Sequence, residues 1–262
     1  MNWRIARTLT TAYYAYMLEY RAELLLWALS NSLPLIMLGV WSQSAQGGGF
    51  VLTAGELERY FLAVFLTRQF NVVWVIWEFE KEVISGQLSH RLLQPIDPAW
   101  HHFFSHIAER IARLPLVMIL TGLFVLLYPQ ALWLPHWGDI LVLLIVVPLA
   151  FTARFLMQYT SAMLAFWTER ASALEQLWFL IYLSLSGTLA PLEVIPEPIP
   201  SILLWTPFPY LVYFPSMVLV GKMPMVEVGR GIVVLWLWTA LFWLVNRYLW
   251  QRGLKRYSGM GA

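Results

Sequence analysis

The chain has no cysteine and little charge. Without cysteine there is neither a disulfide framework nor a thiolate metal site, and the redox compartment leaves no mark on the sequence. Charged residues make up 12% of 262 residues, far below the roughly 25% of an ordinary soluble domain, while 60% are apolar and mean hydropathy is +0.63. This composition excludes a soluble globular domain and implies an integral membrane protein. A phosphate-binding loop is also missing: Gly47-Gly48-Gly49 is followed by no Lys-Ser or Lys-Thr and reads as a flexible turn. No repeat recurs at a fixed period, which removes solenoids and weakens an inverted-repeat transporter. Paired intramembrane carboxylates and Ser/His/Asp spacing are likewise absent, so no catalytic residues are expected.

What is present is a series of apolar runs near the roughly 20 residues that a bilayer-crossing helix needs. Six are predicted as spans: Leu24–Trp41, Tyr60–Trp77, Leu114–Leu134, Ile140–Trp167, Leu174–Leu192 and Ile232–Trp250. They are continuous and lack period-2 alternation, which favours helices over a barrel, so an all-α single membrane domain over residues 1–262 is expected. The fourth run, Ile140–Trp167, is longer than a bilayer needs and is expected to tilt or project from it. Trp27, Trp41, Trp77, Trp133, Trp137, Trp167 and Trp250 fall near run ends, as interfacial tryptophans do.

The net charge of +2 says little, but its distribution orients the chain. Twelve of 17 Lys and Arg fall on one side of the predicted topology: Arg4, Arg7, Arg21, Lys81, Arg91, Arg110, Arg113, Arg170, Arg247, Arg252, Lys255 and Arg256. Both termini are therefore expected to be cytoplasmic. The stretch from Met1 to Tyr20 lacks a central apolar run and a small-residue cleavage site, so the mature chain is expected to begin near Met1. Ile5, Leu9, Tyr13, Tyr16, Tyr20 and Leu24 recur at helical spacing, predicting an amphipathic interfacial helix.

Three polar features interrupt the apolar background. The first, Glu78 to Arg113, lies between predicted spans two and three and holds four Lys and Arg and five Asp and Glu. Glu78, Lys81, Glu82, Ser85 and Ser89 recur at three- and four-residue steps and predict a short helix, to about Arg91, with one face for a partner. Gly86 permits close backbone approach, and Pro95 and Pro98 end the element before an interfacial helix from near Ala99 to Arg113. His102 and His106, four apart, with His101 beside them and Glu109 a turn later, raise the question of zinc; no His-Glu-x-x-His pair accompanies them, so no metal site is expected.

The second feature is a pair of arginines, Arg68 and Arg154, inside predicted spans. Each costs roughly 2.5–3.5 kcal/mol at the centre of a spanning helix. With Asn71, and with Gln158 and Ser161, they make polar stripes that predict a route for a substrate bearing an anionic or polyhydroxyl part; snorkelling to the interface is the bland alternative. No acidic residue falls mid-span to pair with either. Glu175 opens the fifth run, where headgroups and water are expected to solvate it. The third feature gathers Pro191, Pro196, Pro198, Pro200, Pro207, Pro209 and Pro215 into one short stretch of otherwise apolar chain, which predicts a broken, re-entrant outer element.

The pattern Ser186-Gly187, Pro191-Leu192, Pro196, then Pro207-Phe208-Pro209-Tyr210 resembles the segment after the fifth span of type-2 ABC exporter permeases. Glu82-Val83-Ile84-Ser85-Gly86 looks like the start of that family's coupling helix, and Leu92-Leu93-Gln94-Pro95 resembles its leucine-leucine-x-x-proline ending. The whole looks like a prokaryotic branch of such permeases. The resemblance implies a six-span permease subunit in a prokaryotic inner membrane, dimeric with itself or a related permease. It also implies a separate ATPase subunit that holds ATP and Mg and docks on Glu78, Lys81, Glu82, Ser85, Gly86, Ser89 and Arg91. Partners are then the ATPase, a second permease and the bilayer, with no nucleic acid. A secondary transporter working through Arg68 and Arg154, or a membrane enzyme built on His101 to Glu109, are the competing readings.

Overall fold

A computed structural model of the chain describes residues 2–30, 32–45 and 52–257, and the Gly47–Gly49 turn lies outside them. Regular structure among these residues is entirely helical, as the continuous apolar runs require. Helix α1 (Trp3–Glu19) is followed by α2 (Arg21–Ser30), α3 (Leu33–Ala45), α4 (Ala54–Asn71), α5 (Val75–Ile84), α6 (Leu88–Leu92) and α7 (Pro98–Leu127). Then come α8 (Trp137–Ala162), α9 (Ala173–Leu185), three short helices α10 (Ile199–Leu203), α11 (Phe208–Leu211) and α12 (Tyr213–Val220), and finally α13 (Met225–Leu254).

Among the described residues, five stretches are long and apolar enough to cross a bilayer: Ala22–Trp41, Ala54–Ile84, Pro98–Leu127, Trp137–Phe166 and Met225–Leu254. The predicted fifth span, Leu174–Leu192, is not among them: its α-helix, α9, at 13 residues is too short to span alone. It stops because Gly187 takes φ +83 and Pro191 follows. The predicted third span and the separate interfacial helix before it are one helix, α7, which continues through Pro115 and ends at Leu127, short of the predicted Leu134. Its charged turn does not break it, because Glu109 and Arg113 pair with each other four residues apart and are buried.

Among the five, Ala54–Ile84 is the most enclosed, with 72% of its apolar window buried against 17–39% for the others. It is also the least hydropathic, as suits a helix that faces protein more than lipid. Leu57, Phe61, Val64 and Phe65 of α4 pack with Val117 and Phe124 of α7, Val146 and Ala153 of α8, Phe214 of α12 and Leu235 of α13. A second cluster lies at the other end, where Phe79 of α5 meets Tyr159 and Phe166 edge-on at 5.4 and 5.5 Å. Helix α1, capped by Asn2 on the Arg4 amide, lies along α7, with the Tyr13 hydroxyl 3.1 Å from His101 Nδ1.

The proline-rich connection folds back into the bundle. Pro191, Pro207, Pro209 and Tyr210 are buried and Pro196 is exposed. Because proline removes backbone donors, side chains of α4 tie the broken chain down. The Tyr60 hydroxyl donates to the Gly187 carbonyl at 2.6 Å, the Thr67 and Ser216 hydroxyls meet at 2.8 Å, and Asn71 Nδ2 donates to the Leu211 carbonyl.

Candidate membrane pathway and coupling surface

The residues expected on one docking face divide into two groups. Glu82 is 7% exposed; its carboxylate takes Arg91 at 2.7 Å and lies 3.2 Å from His102 Nε2. The other ring nitrogen, Nδ1, lies 3.2 Å from Glu78. Carboxylates only accept, so this arrangement is satisfied when both nitrogens of His102 carry a proton. Ser89 meets the Tyr257 hydroxyl at 3.1 Å, and Arg91 Nη1 donates weakly to the Tyr13 hydroxyl at 3.5 Å. Burial lowers the Arg91 pKa, but the Glu82 carboxylate and the Tyr13 hydroxyl outweigh it and hold it above the usual guanidinium value. Glu78, Glu82, Ser89 and Arg91 thus brace the segment, while Lys81 and Ser85 are exposed.

The single short helix expected from Glu78 to Arg91 is instead two, α5 and α6, joined by a turn at 85–87. Gly86 takes φ +74, a left-handed conformation that ends α5, and the Ser85 hydroxyl returns to the Lys81 carbonyl at 2.6 Å. Past the turn Leu88 is fully buried as an anchor, and the chain then projects. Leu93 is 87% exposed, with Leu92, Gln94 and Pro95 exposed beside it. The projection closes at Asp97, which caps α7 through the Ala99 amide and takes Arg247 of α13 at 2.8 Å.

The histidines and Arg110 have work that sequence reasoning missed. Chain 72–74 breaks the helix between α4 and α5 with no proline to announce it. Arg110, counted as a loop cation but buried in α7, donates to the carbonyls of Phe70 at 2.7 Å, of Val72 and of His106. His106 Nε2 accepts the Trp74 amide at 2.9 Å, which puts its ring proton on Nδ1, 2.8 Å from the His102 carbonyl. Three backbone groups at the break, the Phe70 and Val72 carbonyls and the Trp74 amide, are therefore met within the protein, as bilayer depth requires. A His or Arg one face away on a neighbouring helix is the usable signal, and only the packing of α7 against the end of α4 reveals it. Among the described residues no group of three or more His, Asp and Glu makes a metal-ligand set.

Arg68 and Arg154 line one cavity, in company that their separate stripes did not announce. Glu175 is not solvated by headgroups: it is 2% exposed and takes Arg154 Nη2 at 3.0 Å. The residues after α8 turn back into the bundle, where Glu80 of α5 receives the Ser172 amide at 2.6 Å and its hydroxyl at 2.8 Å, so α9 opens beside Arg154. The expectation that no acid meets either arginine is thereby corrected. Arg154 also lies over the Tyr182 ring at 4.6 Å. The two arginines, Asn71 and Glu175 line a cavity of about 350 Å³ walled by Trp27, Trp74, Trp77, Phe179 and Tyr182. Gln158 is buried nearby on α8, and Ser161 is spent on its own helix, donating to the Met157 carbonyl at 3.3 Å.

A family described as "ABC-2 family transporter protein" matches residues 49–261, over three quarters of the chain. This chain belongs to the ABC-2 transporter family. It is a multi-pass membrane protein and a transport component rather than an enzyme. The match begins beyond α3 and takes in the 85–97 projection and both arginines of the cavity, but not the cavity's Trp27 wall or the Tyr13 brace. No curated protein matches the chain.

Proposed function

We propose that this ABC-2 protein is the membrane-spanning permease subunit of an ATP-driven exporter in a prokaryotic inner membrane. Two copies, or one copy and a related permease, form the pathway between them, and separate ATPase subunits holding ATP and Mg²⁺ drive it. Six crossings result if α9 and the proline-rich chain together serve as the fifth, with residues 191–220 re-entrant from the outside and α1 lying in the interface. Both termini and the 85–97 projection are then cytoplasmic, in keeping with the excess of Lys and Arg there.

The observation that carries the reading is the projection itself. An apolar tip at Leu92 and Leu93 is exposed on a segment braced by Glu82, Arg91 and His102, by Tyr13 of α1 and by Tyr257 after α13. A coupling element needs such a rigid knob, because a flexible loop would absorb the partner's motion rather than pass it to the spans. Lys81 and Ser85 extend its exposed surface, whereas Glu78, Glu82, Gly86, Ser89 and Arg91 act by fixing its shape. The test is co-purification of an ATPase subunit with the chain from gently solubilised native membranes. Leu93→Asp should abolish ATPase retention while leaving the melting temperature unchanged. A chain that never retains an ATPase would sink the proposal.

A further inference from the structure

The cavity between α2, α4, α8 and α9 is electrically incomplete. Arg68 is 5% exposed, and its Nε and Nη1 have no hydrogen-bond partner among the described residues. Arg154 is 4% exposed, and its Nη1 is also without one. One carboxylate, Glu175, stands against these two guanidiniums, which leaves a net charge of +1 in a buried site. Buried charge is stable only when paired and hydrogen-bonded. The donors left over are planar, forked N–H groups suited to a phosphate or carboxylate oxygen pair. Around them the walls are apolar: Trp74, Trp77 and Phe179 present rings, not further charge. A free hydrophilic anion would gain from the donors but leave those rings unused.

We propose that this cavity binds an amphiphile carrying a single negative charge, its phosphodiester or carboxylate on Arg68 and the free edge of Arg154, its apolar part on the tryptophans. Glu175 sets the charge rule: by answering one arginine it makes the site select monoanions over dianions. As a statement about what is transported, this rests on the permease reading; as a binding site it stands alone.

The experiment is native mass spectrometry of the full chain in neutral detergent. The probes are dioctanoyl phosphatidylglycerol, net neutral dioctanoyl phosphatidylcholine and inorganic phosphate. Phosphatidylglycerol should bind in preference to phosphatidylcholine, and Arg68→Gln should weaken it about ten- to a hundredfold, the worth of hydrogen bonds to a charged group. Arg68→Lys, which keeps the charge, should retain the preference and supplies folded protein if the glutamine variant does not accumulate. Glu175→Gln should tighten anion binding by freeing Arg154. Equal binding of phosphatidylcholine, or an unchanged affinity in Arg68→Gln, would overturn the site. Competition by inorganic phosphate as potent as by the lipid would identify a free anion as occupant and refute the amphiphile. A chain that retains an ATPase yet shows no preference keeps the permease reading and loses this site; the opposite pair of results does the reverse.

Discussion

Asn71→Leu should destabilise the protein by about 1 kcal/mol, and most of that cost should vanish in a Pro215→Ala background. Leu211 ends α11, and the residue four positions on, which in a continuous helix would donate to its carbonyl, is Pro215. Proline has no N–H, and the carbonyl is inside the bundle, away from water. Asn71 Nδ2 fills the vacancy from α4. Leaving such an acceptor bare costs about 1–3 kcal/mol in soluble proteins, and interhelical bonds in membranes average about 0.6. Asn71 Oδ1 has no partner among the described residues, so leucine also removes a burden, which brings the expected net cost to the lower end. Pro215→Ala alone should change little, because position 215 is in the first turn of α12, where proline is tolerated. In that background the new N–H can serve Leu211, and Asn71→Leu should then be nearly silent. The assay is reversible unfolding of the four proteins of the cycle by SDS titration in mixed micelles. Equal costs of Asn71→Leu in both backgrounds, within a few tenths of a kcal/mol, would refute the claim that Asn71 replaces the missing proline donor.

Other perturbations probe the same polar framework. Arg110→Lys should fail to rescue the helix break, because one ammonium cannot reach three carbonyls held by a forked guanidinium; a loss of about 2 kcal/mol or more in the same SDS titration is expected, and wild-type stability would count against it. Gly187→Ala should sharply reduce folded yield on size-exclusion chromatography, since φ is +83 and an added Cβ would come within 2.7 Å of both Tyr213 Cβ and the Tyr60 hydroxyl; a normal monodisperse peak would refute the packing. Glu82→Gln should cost about 1–3 kcal/mol by leaving Arg91 and His102 without their shared carboxylate, and should lower ATPase stimulation in the reconstituted complex even where Leu93 is intact.

What the sequence could disclose followed from hydropathy, and what it hid followed from contacts between helices. Trp137–Phe166 and Met225–Leu254 lie over the predicted Ile140–Trp167 and Ile232–Trp250, because long, mostly apolar stretches admit little but a helix; the second starts at Met225 rather than Ile232, directly after Pro224. Around Glu109 to Pro115 the same criterion failed: the charges that signalled an end, Glu109 and Arg113, neutralise each other inside the protein, and α7 continues through the exposed Pro115. The break at 72–74 escaped notice for the converse reason. Nothing local ends that helix, and the residues that make ending it tolerable, His106 and Arg110, lie far downstream on α7.

The polar residues of the candidate sites carry the same lesson into function. Arg68 and Arg154 were conspicuous because charge is expensive at bilayer depth, but that one cavity holds both is visible only in the folded chain. So is the sign of that cavity. Depth counted along a span placed Glu175 at a wet surface, whereas the return of the chain through Ser172 onto Glu80 carries it to Arg154. One carboxylate thus changes the site from a doubly cationic trap, suited to a dianion, into one that asks for a single negative charge. Asn71 went the opposite way: counted with Arg68 because it lies one turn along the same helix, it borders the cavity but commits its amide nitrogen to the backbone of Leu211. Spacing on a helix shows which residues share a face, but which of them remain free for a ligand depends on the carbonyls and carboxylates that the other helices bring to that face.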